Sequence, residues 1–288
     1  MIRLSFRPPY DWDSLVEFLS VRATPGVEKV DAHSYRRTIS LDGHSGTFEV
    51  RRVARRNYLE LRIDFPNSQS LPYIVQRARR IFDVDIDPRE VARHLRQDRR
   101  LVALVDAYPG LRVPGAWDGF ELAVRAIFGQ QVSVKGATTL SGRLALAYGR
   151  RFRKGELGVL FPTPEVLAKA APAKLGLPKV RGRAIPQLAR AVCQGQLSFN
   201  GTSELRTFVA QMKNVPGIGE WTAQYVAMRA LSHPDAFPAT DLGLLRGASS
   251  GSRGLKPKTL LQRAEKWRPF RAYAAMYLWK RYGSSKRK

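Results

Sequence analysis

Residues 214–241, NVPGIGEWTAQYVAMRALSHPDAFPATD, decide how the chain is read. Pro216-Gly217-Ile218-Gly219 is a turn in which glycine supplies positive φ and room for close backbone approach. From Glu220 to Leu231 there is no Pro or Gly, and Trp221, Tyr225, Met228 and Leu231 recur at helical spacing, so a helix is predicted. Upstream, Glu204 to Lys213 reads as a second helix with Thr202 or Ser203 as its N-cap. A pair of helices joined by Gly-x-Gly therefore spans residues 204–231. The turn presents the N–H groups of Gly217, Gly219 and Glu220 at the positive end of a helix, where an anion is favoured. A hairpin that serves packing alone is the competing reading.

Charge weighs between the two. The 288 residues carry 49 Lys plus Arg against 24 Asp plus Glu, a formal charge of +25, and the pI is about 10.9. Such an excess points to a phosphate backbone. With 44% hydrophobic residues the chain can bury real cores, and its length suggests two domains. No apolar run is long enough to cross a membrane, and MIRLSFRPPYDWD lacks a signal core, so a cytoplasmic protein without a membrane partner is expected. The single cysteine, Cys193, excludes internal disulfides and a four-cysteine metal site, and is expected to be a packed, inert thiol. His33, His44, His94 and His233 show no ligand spacing. No Walker loop or dinucleotide fingerprint occurs, so no nucleotide cofactor is expected.

Two regions differ in pattern. In residues 1–87, Ile2, Leu4 and Phe6 alternate as a strand does, and Asp11 to Ala23 reads as a helix. Tyr35 to Leu41, Thr47 to Val53 and Tyr58 to Ile63 read as strands, the first two joined by a five-residue loop, Asp42 to Gly46. Leu71 to Phe82 closes an α+β domain in which no residue is expected to be catalytic. Residues 88–288 read as almost wholly helical. Asp118 and Glu121 form a capping box for Phe120 to Phe128, and Ser133 to Tyr148 restarts as a helix. Ala171 to Gly176 reads as a short helix or turn. Pro178 to Arg183 is a basic turn before a helix over Ala184 to Cys193. Gly247 to Gly254 is a surface loop, and Lys258 to Trp267 and Pro269 to Tyr282 are the last helices.

Downstream of the hairpin, Asp241 follows a loop with two prolines and precedes Leu242-Gly243-Leu244-Leu245. By itself it is an N-cap. A rigid carboxylate beside a phosphate-gripping hairpin also suits cleavage of a glycosidic bond, because the departing base leaves a positively charged sugar.

These residues, Pro216-Gly217-Ile218-Gly219-x-Trp221-Thr222-Ala223 with Asp241 about twenty residues on, resemble the helix-hairpin-helix DNA glycosylase superfamily, and within it the bacterial branch acting on alkylated bases. The likeness extends to Pro8-Pro9-Tyr10-Asp11-Trp12, Phe120 to Val134, Phe161-Pro162-Thr163-Pro164 and Trp267-Arg268-Pro269-Phe270-Arg271-x-Tyr273, so it covers essentially the whole chain. It implies an N-terminal domain like half of a TATA-binding-protein fold, followed by an all-α glycosylase core. It implies Asp241 as the catalytic carboxylate, with Trp221, Tyr225 and Trp279 as the base pocket. Double-stranded DNA carrying alkylated bases is then the partner, contacted by Gly217, Gly219, Glu220 and Thr222 and by Gln130 and Gln131. A monomeric, nucleoid-associated bacterial enzyme is expected. Purine bases methylated at N3 or N7 are cationic, so aromatic faces attract them by ~2 kcal/mol each when desolvated.

The resemblance also carries departures. Trp221 stands where bifunctional relatives have a Schiff-base lysine, so hydrolysis without strand cleavage is expected. Gln131 stands where well-known members push a leucine into the duplex, leaving Gln130 or Gln131 to fill the gap. Thr240 stands where a second acid occurs. No cofactor is required; a monovalent cation, Na+ or K+, held by the carbonyls of Lys213, Val215 and Gly217, is implied by resemblance alone. A non-catalytic damage-sensing module and a glycosylase for deaminated or oxidised purines are the alternatives.

Overall fold

Alternation of apolar and polar residues in the first third of the chain produces strands, and its hydrophobic side becomes a core. The computed structural model describes residues 1–130, 132–153, 155–171, 179–199, 204–249 and 254–285. Strands β1 (Ile2–Ser5), β2 (Glu28–Val30), β3 (Ser34–Leu41), β4 (His44–Arg52) and β5 (Tyr58–Asp64) form one sheet in the order β1-β5-β4-β3-β2. All neighbours are antiparallel. Helices α1 (Trp12–Ser20) and α2 (Leu71–Ile81) cover it, packing Trp12, Leu15, Ile74 and Ala78 against Tyr35, Phe48, Val50, Leu59 and Leu61. Asp11 caps α1 by accepting from Ser14 N at 2.9 Å. The loop between β3 and β4 is shorter than expected: Leu41 pairs with His44, so only Asp42 and Gly43 turn the chain, at φ +51° and +77°. Two residues of left-handed backbone match the twist of the flanking strands.

The rest is helical: α3 (Pro88–Leu95), α4 (Arg99–Ala107), α5 (Gly119–Gly129), α6 (Val134–Tyr148), α7 (Pro164–Ala168), α8 (Lys179–Cys193), α9 (Leu205–Lys213), α10 (Glu220–Ala230), α11 (Leu242–Gly247), α12 (Pro257–Ala264) and α13 (Arg271–Ser285), with a small ribbon of β6 (Arg150–Arg151) and β7 (Val159–Leu160). One apolar cluster runs from Val91 to Leu278. Trp117 instead joins the sheet's core, its ring centroid 5.6 Å from that of Phe48.

Several local expectations give way to tertiary context. The basic stretch before Ala184 is not a turn, because α8 begins at Lys179 and runs through Pro186. Burial of Ile185, Leu188 and Ala189 outweighs the breakers. Cys193 is exposed at the end of that helix, not packed. Helix α9 is capped by Glu204 without a side-chain bond, and Thr202 and Ser203 lie outside the described residues. Residues 172–176 of the expected short helix also lie outside them. Gly247 ends α11 instead of opening a loop; a Cβ there would come within 2.2 Å of Leu278 O.

The Asp118–Glu121 capping box is half formed. Asp118 Oδ1 accepts from Glu121 N at 2.7 Å, but the Glu121 carboxylate turns to Arg37 at 2.6 Å and Arg125 at 2.9 Å. Arg125 also donates to Glu28 Oε2 at 2.8 Å, and Tyr35 OH donates to Glu28 Oε1 at 2.6 Å. This buried cluster joins β2, β3 and α5, and so fixes the sheet against the helical core. Burial alone would raise the Glu28 carboxyl, but the Arg125 and Arg37 guanidiniums outweigh it and hold it at about 2.

Glu121→Ala should therefore cost about 3–5 kcal/mol, the penalty of leaving buried guanidiniums unpaired, read as a lower urea midpoint. Because the folded-state value of Glu28 lies below its ordinary 4.5, its contribution is complete above that pH and is lost as pH falls toward about 2. Glu28→Gln should flatten this part of the acid-stability profile in pH-dependent denaturation.

Candidate active site

The hairpin is built as its residues require. Gly217 lies at φ +88°, and a Cβ on it would meet Ala184 Cβ at 2.8 Å, so glycine is needed on both counts. Gly219 differs. It caps α10 with extended backbone and no side-chain bond, and a Cβ there would meet nothing within 4 Å. Among the described residues, the N–H groups of Gly217, Gly219 and Glu220 take no backbone acceptor. The Glu220 carboxylate beside them is neutralised by Lys213 at 2.9 Å.

Helix α10 carries Trp221 and Tyr225 one turn apart, their rings 5.3 Å apart and nearly parallel at 9°. Trp279 of α13 meets Tyr225 edge-on at 6.2 Å. The loop after α10 ends at Asp241, which caps α11: its Oδ1 accepts from Leu244 N at 3.0 Å. The same oxygen accepts from Trp279 Nε1 at 2.8 Å, and Oδ2 accepts from Trp221 Nε1 at 2.8 Å. The cap role and the site role are thus held by one carboxylate. Three N–H donors fix it, while Oδ2 retains a lone pair for a further proton.

These groups open on a cleft of about 690 Å³, large enough for a nucleobase and its sugar. Asp241, Trp221, Tyr225 and Trp279 all line it, as the sequence predicts. The N-terminal domain, in which no catalytic residue is expected, contributes lining as well: α1 supplies Phe18, its ring 6.2 Å from Trp279, and Arg22 follows just beyond the helix. Arg125 and Arg229 complete the wall, and Leu242 stands 69% exposed beside Asp241. Arg229 donates to Tyr225 OH at 2.8 Å. Burial raises the Tyr225 hydroxyl, but the guanidiniums of Arg229 and Arg22 together bring it below its ordinary value.

Phe18 and Arg22 left no signal beyond an apolar stripe and one cation in a helix far from the hairpin in sequence. Of the expected DNA contacts, Thr222 is turned inward, whereas Gln130 is half-buried and bonded across to the hairpin. Thr222 is 1% exposed, and its Oγ1 accepts from Gln130 Nε2 at 3.1 Å. The same Gln130 amide donates to Gly217 O at 3.1 Å, so it ties the end of α5 to the hairpin. Gln131 lies outside the described residues.

Comparison with known proteins accords with this geometry. Residues 1–118 match the AlkA N-terminal domain, and residues 124–269 match the HhH-GPD superfamily base excision DNA repair protein model. The chain is 36% identical over 280 residues, 96% of its length, to the probable bifunctional transcriptional activator/DNA repair enzyme AlkA of Mycobacterium tuberculosis, and spans only 56% of that relative. It is 33% identical to DNA-3-methyladenine glycosylase 2 of Escherichia coli, covering 97% of this chain and 96% of that one. The solved 3-methyladenine DNA-glycosylase of Archaeoglobus fulgidus superposes with a TM-score of 0.85 at 22% identity, covering 98% of each chain, and so shares the fold. With an α+β domain before a helical core, a Gly-x-Gly hairpin, and a carboxylate gripped by two indoles at the cleft, the chain belongs to the HhH-GPD superfamily of base excision DNA repair proteins.

Proposed function

We propose that this chain is a monofunctional DNA glycosylase that flips alkylated bases of the 3-methyladenine and 7-methylguanine type out of duplex DNA and hydrolyses their N-glycosidic bond, leaving an abasic site. The observation that carries the reading is Asp241, held by Trp221 Nε1 and Trp279 Nε1 inside a cleft walled by the Trp221 and Tyr225 rings. A flipped base lies against those rings, and the positive charge of a methylated purine is attracted to their faces. As the bond from the sugar to the base breaks, its electron pair leaves with the base and the sugar becomes oxocarbenium-like. The Asp241 carboxylate stabilises that charge, and Oδ2 takes a proton from the water that adds to the sugar.

Lys280 is the one lysine lining the cleft among the described residues, and its Nζ is paired with Glu17 at 2.6 Å. Among the described residues lining the cleft no unpaired lysine amine stands ready for a Schiff base, which supports hydrolysis without strand cleavage.

The free N–H groups around Gly219, which has open space where a Cβ would stand, suit a DNA phosphate. The carbonyls of Lys213, Val215 and Gly217 would hold a sodium or potassium ion there. Val215 O accepts from Ile218 N at 3.1 Å and Gly217 O from Gln130 Nε2 at 3.1 Å, and each keeps a second lone pair, so the donor set fits a hard cation. Bound there, the ion would supply positive charge beside the phosphate. With the Gln130 amide engaged by Gly217 O and Thr222 Oγ1, the gap left in the duplex falls to Gln131 and to Val132, which is 38% exposed at the cleft. The reading requires no other cofactor and implies a monomer acting on DNA in the bacterial cytoplasm.

Asp241→Asn should lower release of 7-methylguanine from methylated duplex DNA at least ~100-fold while leaving DNA affinity within a few-fold, measured by base-release assay and fluorescence anisotropy. A wild-type protein that binds such DNA and frees no base would be a binding module. Gly219→Ala, whose added Cβ meets nothing within 4 Å, should lower the melting temperature by no more than the few degrees a weaker N-cap costs, yet weaken binding to undamaged duplex about tenfold. An unaltered Kd would remove the phosphate from the hairpin.

A further inference from the structure

The cleft has two electrostatic ends. At one, Asp241 faces the site of bond cleavage. At the other, Arg22 and Arg229 flank the aromatic wall: the Arg22 guanidinium carbon lies 3.7 Å from the Phe18 ring centroid, and that of Arg229 lies 4.9 Å from the same ring and 5.5 Å from Tyr225. Their partners are neutral. Arg22 Nη1 donates to Phe18 O at 3.1 Å, and Arg229 donates to Pro114 O at 2.7 Å, Gly115 O at 2.9 Å and Tyr225 OH at 2.8 Å. Neither has a carboxylate partner among the described residues, whereas Arg125 on the same wall is paired with both Glu28 and Glu121.

Two uncompensated positive charges on the wall of a shielded cleft act unequally on two kinds of base. A base that arrives cationic is attracted by the ring faces and repelled by the guanidiniums on entry, and it sheds that repulsion as it leaves neutral, so relative to free protein and DNA the guanidiniums give it no net help. A base that arrives neutral takes the electron pair of the broken bond and leaves as an anion, and that developing charge is drawn to them. The Tyr225 hydroxyl accepts from Arg229, so its own O–H remains free to donate. Its lowered titration range makes it a stronger donor to an anion.

We propose that Arg22, backed by Arg229 and Tyr225, is a specificity-determining residue that sorts leaving bases by charge, assisting those that depart as anions and giving no such help to those that depart neutral. Carbon–nitrogen cleavage then proceeds with the pair staying on the base nitrogen, whose negative charge the guanidinium and the tyrosine O–H stabilise by donating hydrogen bonds, while water supplies oxygen to the sugar and its proton passes to Asp241. The proposal rests on the glycosylase activity inferred above.

The test compares two leaving groups on one protein preparation: kcat/KM for release of hypoxanthine, which departs as an anion, and of 7-methylguanine, which departs neutral, from duplexes of matched sequence. Arg22→Met should lower kcat/KM for hypoxanthine release about 10- to 100-fold more than for 7-methylguanine release, the range expected for a lost charge-assisted hydrogen bond. Arg22→Lys, which keeps the charge, should recover part of the loss. Equal slowing of both bases in Arg22→Met, no slowing of either, or a wild-type protein that frees 7-methylguanine and no hypoxanthine would each overturn the assignment. A wild type that frees neither base would instead refute the glycosylase reading itself. Because the readout is a ratio, partial loss of folded protein cancels.

Discussion

The grip of two indole N–H groups on the Asp241 carboxylate is the constraint on which the rest of the site depends. Trp221 comes from α10, Trp279 from α13 and Leu244 N from the helix that Asp241 itself begins, so three helices meet at one side chain. Each bond is directed, and the carboxylate has little rotational freedom left. The same contacts orient the rings: an indole whose N–H is committed to Asp241 has its face set, and Tyr225 stacks against Trp221 in consequence. Electrostatic stabilisation of a transient cation relies on a dipole arrangement that need not reorganise during reaction, and this arrangement is built in advance.

A second, larger element sets the opposite wall. The buried network of Glu28, Tyr35, Arg37, Glu121 and Arg125 ties the sheet to α5, and so holds α1 where Phe18 and Arg22 line the cleft. Buried ion pairs are poor sources of net stability because desolvation offsets their attraction. Their value here is positional, since the geometry tolerates one arrangement of two domains. The N-terminal domain is therefore part of the site as well as a neighbour to it. The contrast of paired Arg125 with Arg22 and Arg229, which have no carboxylate partner among the described residues, gives the cleft its polarity, with the Asp241 carboxylate toward one end and two guanidiniums toward the other.

What the amino-acid order alone determined was local. The hairpin, its free amides and the cap at Asp241 are legible because turn chemistry and helical period act over a few residues, and Trp221 and Tyr225 share a face because they are four apart. The tertiary structure decided everything that joins distant segments. Glu121 caps nothing in return because Arg37, 84 residues away, claims its carboxylate. Helix α8 runs past Pro186 because its buried face outweighs the local penalty, and Cys193 is exposed because it sits at the far end of that helix. Thr222 and Gln130, both near the predicted DNA surface, are 92 residues apart in the chain and bond to each other. Phe18 and Arg22 lie over 200 residues before Asp241, and no short-range rule links them. The physical reason is that backbone preferences are set by neighbours in the chain, whereas charge pairing and cleft walls are set by neighbours in space.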